Sequence, residues 1–396
     1  MKKTLAALAV LGAFGATSAF AADVTLYGLV DYGFNYQHID GDVDGVDAVD
    51  NFKMMSGQNS GSRFGLKGTE DLGNGLKVIF QLENGFSADD GTFTTSGKLF
   101  DRQASLALNG AFGEVAFGRM GQLASSLGSY GLLGATSPFS TGWQDISGEK
   151  FVMAKGQTRY DNMITYKTPT FAGFTAFAQY SFGNSGDNDK TGSALKEWDE
   201  GKASADRYYA IGATYKTQSL YLVGVVDSIN YGSQQTYAVN GTTDNDLDDS
   251  LTVTLGGNYD FGFLKAYASA QYFDNAVGVG QKLIGEDAIS ATASSAQASF
   301  KLHGAEGYSA SLGVGVPALG GTAKAHVGYV SAEDTKDSDL LEMTRWNVVV
   351  GYDYNLSKRT FVYTSAAFMQ DKYETKGLED REPSAVEVTA GLVHKF

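Results

Sequence analysis

Apolar residues along this chain alternate with polar or small ones in segments about ten residues long, the period of a β-strand whose two faces meet different surroundings. Sixteen such strands are predicted, at 24–36, 62–68, 76–85, 102–108, 114–120, 160–168, 174–182, 207–215, 220–226, 250–259, 264–273, 306–316, 322–332, 343–354, 360–370 and 385–396. In the last, Val386, Val388, Ala390, Leu392, His394 and Phe396 share one face, and Glu387, Thr389, Gly391, Val393 and Lys395 the other. The connections sort by parity. Even-numbered strands are followed by tight turns, such as TEDLGNG from Thr69, NGAFG from Asn109, PTFAG from Pro169, PALGG from Pro317 and NLSK from Asn355. Odd-numbered strands are followed by long polar stretches, among them 37–61, 121–159, 183–206 and 275–305.

An even number of antiparallel strands, trimmed at one rim and elaborated at the other, predicts an all-β, closed transmembrane barrel with short periplasmic turns and long external loops. A soluble sandwich gives no reason for its loops to sort by parity. The faces point the same way: the apolar one would meet lipid or a neighbouring subunit and the polar one water, the inverse of a soluble barrel. Tyr352, Phe361 and Tyr363, near strand ends, are expected on the exterior as interfacial aromatics.

Composition removes the competitors. With 50 Gly, only 4 Pro, 12% aromatic and 19% charged residues, the chain is neither collagenous nor disordered. A mean hydropathy of −0.18 leaves no room for a bundle of membrane helices. The net charge of −15 opposes a nucleic-acid surface, and with no cysteine neither disulfides nor thiolate metal sites carry the fold. Met1, Lys2 and Lys3, the apolar run 5–14 and Ala19-Phe20-Ala21 read as a secretory signal peptide, 1–21. Its removal leaves one domain, 22–396, with no internal linker and a formal charge of −17 after the loss of Lys2 and Lys3.

Four stretches together carry a family resemblance: VTLYGLVDYG from Val24, SRFGLKGTEDLGNGLKVIFQLENGF from Ser62, GEVAFGRM from Gly113 and the closing GLVHKF from Gly391. In order and over the whole mature chain, they resemble the general diffusion porins of Gram-negative bacteria, the betaproteobacterial type in particular. The resemblance implies a homotrimer of sixteen-stranded barrels in the outer membrane, amid lipid and lipopolysaccharide. It also implies a third external loop, 121–159, folded inward to narrow the pore, and a terminal Phe396 that serves as the signal for the membrane-assembly machinery. The function implied is passive transport of small hydrophilic solutes and ions; a substrate-selective channel of the same fold is the alternative. An outer-membrane enzyme or adhesin would need a Ser/His or Asp/His constellation at the rim.

A pore works through charges on its inward face near the narrowest point. Phe64 and Leu66 share an outer face, which sends Arg63, Gly65 and Lys67 inward; Tyr160, Asn162, Ile164 and Tyr166 share another, placing Arg159 with Met163, Thr165 and Lys167 on the lumen side. Arg102 has the parity of Leu106 and Leu108, hence outward, whereas the match of Arg102-Gln103-Ala104 to the family's RxA turns it into the pore, the reading preferred here. The opposing acids on loop 121–159 would be Asp145 and Glu149, with Lys150 and Lys155 close behind. Related porins place more carboxylates early in this loop, so its sparseness here favours a weak anion preference.

Asp40, Asp42 and Asp44, followed by Gly45, match the first half of a calcium loop, yet position twelve is Asn51 and no helices flank it. A solvated acidic external loop is the expectation, with a structural Ca2+ as the only cofactor reading left open. His38, His303, His326 and His394 show no metal-ligand spacing, and neither GxSxG nor HExxH occurs, so no enzyme is expected. Far-UV circular dichroism of the detergent-solubilised protein should be dominated by β-structure; a mainly helical spectrum, or an exported product that never enters lipid, would overturn the barrel.

Overall fold

The computed structural model describes residues 23–143, 145–154, 158–183, 205–232, 237–239, 242–244, 247–280, 300 and 303–396; the signal segment 1–21 and Lys155 lie outside them. The strands are β1 (Thr25–Asp40), β2 (Val49–Ser56), β3 (Arg63–Gly73), β4 (Leu76–Gly85), β5 (Gln103–Gly110), β6 (Gly113–Gly121), β7 (Arg159–Lys167), β8 (Phe174–Ser181), β9 (Arg207–Lys216) and β10 (Leu220–Asn230). There follow β11 (Tyr237–Val239), β12 (Thr242–Asp244), β13 (Leu251–Asp260), β14 (Lys265–Ala276), β15 (Ala305–Ala318), β16 (Gly321–Asp334), β17 (Leu341–Asn355), β18 (Thr360–Thr375) and β19 (Ser384–Lys395).

The strands of the large sheet pair antiparallel in chain order, with β2 and β3 both on β1 and β10 on β13, and β19 returns to β1 over the register Leu29↔Lys395 to Asp40↔Ser384. That seam closes the barrel, and closure is what lipid demands, since an open edge would leave backbone groups with neither water nor partner. β3 pairs with the start of β1 and β2 with its far half, so β2 and β3 form one interrupted stave and the barrel has sixteen. β11 and β12 make a separate two-stranded hairpin.

The stretch 37–61, read from sequence as loop, in fact contains β2. Between β2 and β3 the buried Asp31 carboxylate accepts the amides of Asn59 (2.8 Å) and Ser60 (2.7 Å) and the Tyr363 hydroxyl (2.7 Å), fixing the kink. The short turns obey their chemistry. Asn74-Gly75 and Leu319-Gly320 both have two central residues at positive φ, the twist that matches a tight hairpin.

Leu26, Phe34, Ile211, Leu255, Leu312, Val350 and Leu392 are exposed on the outer face, whereas Asn35, Gln37, Arg345, Asn347, Asp371 and Thr389 are buried inside. Phe112, Phe171, Phe261 and Phe263 are exposed at the short turns, where an aromatic girdle would meet the bilayer surface. Two of the aromatics expected outside belong inside instead. In β18 the inward face is the odd one: Tyr363 is buried on Asp31 and Trp143, and Phe361 packs against the same interior cluster.

The interior is filled by loop 121–159. Leu123, Leu132 and Leu133 pack into a cluster with Tyr208, Val223 and Val225; Phe139, Trp143, Ile146 and Phe151 pack with Val349 and Tyr363. Glycines on the inner wall make this approach sterically feasible. A β-carbon on Gly313 would come within 2.5 Å of Pro138 Cδ, one on Gly328 within 2.6 Å of Val152, and one on Gly256 within 2.7 Å of Thr136. Wall side chains also satisfy the loop backbone: Asn258 donates to the Ala135 carbonyl (2.7 Å), Asn347 to Gly148 (3.0 Å) and Arg345 to Phe151 (3.0 Å), while Gln271 accepts from the Ala154 amide (2.8 Å). Arg345 is itself held by a two-pronged ion pair to Asp371, at 2.5 and 2.7 Å, with both side chains fully buried. Satisfied this way, a buried ion pair positions the loop, while removing either partner would strand a charge at a cost of about 3–5 kcal/mol.

Glu149 is part of this anchoring. Its carboxylate accepts the Thr136 hydroxyl (2.7 Å), and burial pushes its carboxyl up to about 7. Because the folded chain holds the proton more tightly than the unfolded one, loop docking should weaken as pH rises from the ordinary carboxylate range through about 7. Glu149→Gln should flatten that dependence, read as thermal stability between mildly acidic and mildly alkaline pH; a slope unchanged in the variant would refute the assignment. Gly313→Val should force Pro138 off the wall toward the open passage, costing about 1–3 kcal/mol by overpacking, and lower single-channel conductance. Gly134→Val, where a β-carbon meets nothing within 4 Å, is the control.

Candidate functional site

The inserted loop leaves an open space of about 870 Å³ between its residues 126–129, Thr141, Gly142, Asp145 and Lys150 and the wall made by β1, β3 and β4. Arg63, at the start of β3, and Arg102, immediately before β5, both line it and share Glu83 of β4. The Arg102 Nε–Glu83 distance is 2.8 Å and the Arg63 Nε–Glu83 distance 4.0 Å. Tyr27 donates a third contact to Glu83 at 2.9 Å. Arg102 therefore points inward, against its apolar parity: it precedes the strand, so alternation within β5 does not govern it.

Arg159, the first residue of β7, lines the same space, and its Nε and Nη2 are buried without a hydrogen-bond partner. Its route there differs from the parity argument. Asn162 has φ +53 and the β6–β7 register slips between Gly118 and Met120, so a bulge puts Tyr160 on the inner side with Met163 and Thr165, stacked on Tyr208 at 4.8 Å. The alternation that set Tyr160 outside assumed an unbroken strand.

Asp145 lines the cavity from the loop, within 3.3 Å of the Gln37 amide and 3.4 Å of Lys53 Nζ. Lys150 lines it too, lying over the Phe151 ring. Glu149 does not reach it: only 1% exposed, it turns into the loop–wall contact and offers nothing to a passing ion. Lys67 stands nearer the short-turn rim, its Nζ 5.1 Å from the centre of the Tyr27 ring. Phe396 exchanges two backbone hydrogen bonds with Gly28, at 3.0 and 3.1 Å, and so pins the chain end to the first strand.

The cavity-lining charges are thus Arg63, Arg102, Arg159, Lys150 and Lys395 against Glu83, Asp145 and the chain-terminal carboxylate. Such a space offers a polar passage with an excess of positive charge. The sequence reading missed Glu83, although the alternation of β4 contained it: Lys77, Ile79, Gln81 and Glu83 share a face, and its three polar residues mark it as inner.

The remaining candidates sit elsewhere. Asp42 caps the Glu382 amide at 2.7 Å, its own amide donates to Asp40 at 3.0 Å, and no three His, Cys, Asp or Glu side chains among the described residues converge as metal ligands. His326 is buried against Ser137 (3.2 Å), His303 contacts Asp334 (3.0 Å), His38 contacts Asp50 (2.9 Å) and His394 pairs with Thr360 (2.9 Å).

Comparison with known proteins agrees with this geometry. The chain is 35% identical over its full length to an outer membrane porin protein of Bordetella pertussis, also covered in full. It is 34% identical to outer membrane porin protein 32 of Delftia acidovorans, over 99% of this chain and 96% of that one. Among solved structures, the anion-selective porin from Comamonas acidovorans superposes with a TM-score of 0.64 at 26% identity, covering 95% of this chain and all of that one. A family model for Gram-negative porins matches residues 5–374. With its closed sixteen-stave wall and its loop-narrowed, water-accessible interior, the chain belongs to the Gram-negative porin family and is an outer-membrane porin.

Proposed function

We propose that this porin is a general diffusion channel, not an enzyme, through which small hydrophilic solutes and ions move down their gradients, with a weak preference for anions. The observation that carries the reading is the charge count of the cavity: five cationic side chains against two acidic ones and the chain terminus. Glu83 neutralises part of the Arg63–Arg102 pair, while Arg159 has no acid bonded to its buried Nε and Nη2. Turning Glu149 away removes one of the two loop carboxylates expected to oppose the arginines, which shifts the balance further toward positive. The structural neighbour named as anion-selective supports the same sign. The local field thus opposes the overall charge of the chain, −15, most of which lies away from this wall.

Assembly as a homotrimer rests on the family resemblance, and the acidic external loops would meet lipopolysaccharide phosphates through divalent ions. Flux through a general diffusion channel should rise in proportion to solute concentration; saturable flux with one solute class would instead indicate a selective channel.

One unit charge about 6 Å from an ion's path in water changes its energy by about 0.7 kcal/mol before screening, roughly threefold in the local concentration of each ion, and screening brings the anion-to-cation ratio to a similar few-fold change. Reversal potentials of the purified protein in planar bilayers under a KCl gradient should therefore have the anion-selective sign. Arg63→Gln, Arg102→Gln and Arg159→Gln should each lower the permeability ratio by roughly two- to threefold. A channel with no ohmic conductance, or selectivity indifferent to all three substitutions, would refute the mechanism.

A further inference from the structure

Four strands end in lysine on the short-turn side: Lys167 closes β7, Lys216 closes β9, Lys265 opens β14 and Lys395 closes β19. Each has the parity of its strand's inner face, Lys167 with Thr165, Lys216 with Tyr208, Lys265 with Ser269 and Gln271, and Lys395 with Glu387. Lys77, the second residue of β4, shares the face of Gln81 and Glu83, and Lys67 lies over Tyr27. These six make no ion pair among the described residues. A seventh, Lys324, is paired with Asp353 and lies over Trp143.

Carboxylates on the same inner rim are fewer: Asp353 pairs with Lys324, Asp23 precedes β1 with the parity of Tyr27, and the rest are engaged by neutral donors. Asp71 accepts the Gly73 amide (2.8 Å), Glu114 the Tyr130 hydroxyl (2.8 Å) and Asp260 the Gly262 amide (2.8 Å); the Phe396 terminus adds one more. Lys358 and Arg359, in the turn after β17, add further positive charge on that side. The opposite rim has the other sign: segment 41–62 carries Asp42, Asp44, Asp47 and Asp50 against Lys53, and the described residues after β10 add Asp244, Asp248 and Asp249.

Two of the lysines also share a built space. Lys216 and Lys265 line a cavity of about 330 Å³ with Tyr221, Asn258 and Asp260, bounded on the lumen side by loop residues 131–135. Asp260 offsets one of the two charges, so the pocket alone favours an anion only weakly, and the remaining lysines of the rim supply the rest of the field.

We propose that the periplasmic mouth is a cationic collar that gathers small multivalent anions of the inorganic pyrophosphate class, making the channel electrically asymmetric along its axis. Attraction to several fixed charges grows with the valence of the ion, so a polyvalent anion gains where chloride hardly does. At 0.1 M salt the Debye length is about 10 Å, long enough for neighbouring lysines to act together, and at 1 M it is about 3 Å, too short. Lys395 lines both the collar and the arginine cavity, whereas Lys67, Lys77, Lys216 and Lys265 line only the collar, so variants of these four test the axial asymmetry independently of the sign of selectivity.

The chain has no cysteine, so Gly45→Cys, in an external turn with open space around it, reports orientation in a planar bilayer through an impermeant thiol reagent. With pyrophosphate in one chamber at 0.1 M KCl, block from the periplasmic side should appear at concentrations roughly fivefold or more below those needed from the external side, and the difference should vanish at 1 M KCl. Replacing Lys67, Lys77, Lys216 and Lys265 by Gln should abolish the difference while leaving the reversal potential anion-selective; replacing the same four by Arg should preserve it. Equal block from both sides, or asymmetry that survives the glutamine variant, would overturn the proposal.

Discussion

The structure depends on one seam. Twelve residue pairs between β1 and β19 turn a long sheet into a closed wall, and only a closed wall can stand in hydrocarbon, where an unpaired backbone group costs several kcal/mol. Once the wall is closed, its two faces must differ, because one meets lipid and the other water. Strict alternation along each strand follows, and with it a polar interior able to accommodate guanidinium groups that would cost about 2–4 kcal/mol each at midplane depth on the outside.

The second constraint is steric. A closed sixteen-stave barrel is wide, and this chain narrows it by laying one of its own loops against the inner wall. Glycine at Gly212, Gly256, Gly313, Gly328 and Gly351 lets the loop approach so closely, with Leu132, Thr136, Pro138, Val152 and Phe139 seated against these positions. The loop thus packs against much of the rest of the wall, and the largest described opening runs along β1, β3 and β4, where Arg63 and Arg102 meet Glu83 and Arg159 reaches in from the start of β7.

Much of this was legible in the sequence because alternation and turn chemistry are local signals. The sixteen staves, the parity of the loops and the two faces of β19 follow from residues within a few positions of one another. What escaped reading depends on breaks in the alternation or on contacts across the barrel. The bulge at Asn162 moved Tyr160 inside; the kink held by Asp31 hid β2 within a stretch that looked like loop; Arg102 lies one residue outside the strand whose parity would have misplaced it. Glu149 looked like a pore acid because a loop carboxylate opposite arginines is electrostatically sensible, and only Thr136 and the packed wall reveal that it faces the other way. Tyr363 is the converse case, an aromatic near a strand end whose hydroxyl finds a carboxylate 332 residues away in sequence.

Glu387 of β19 accepts from Gln37 of β1 at 2.6 Å, and the same carboxylate takes the Asp145 amide at 3.2 Å and the Ser147 hydroxyl at 2.9 Å. The inserted loop is thereby riveted across the last joint of the cylinder, touching both strands that must meet to complete it. The hoop cannot spring open there without first shedding the plug, so the element that sets the bore also acts as an internal clasp, and mechanical strength and sieving share the same few atoms.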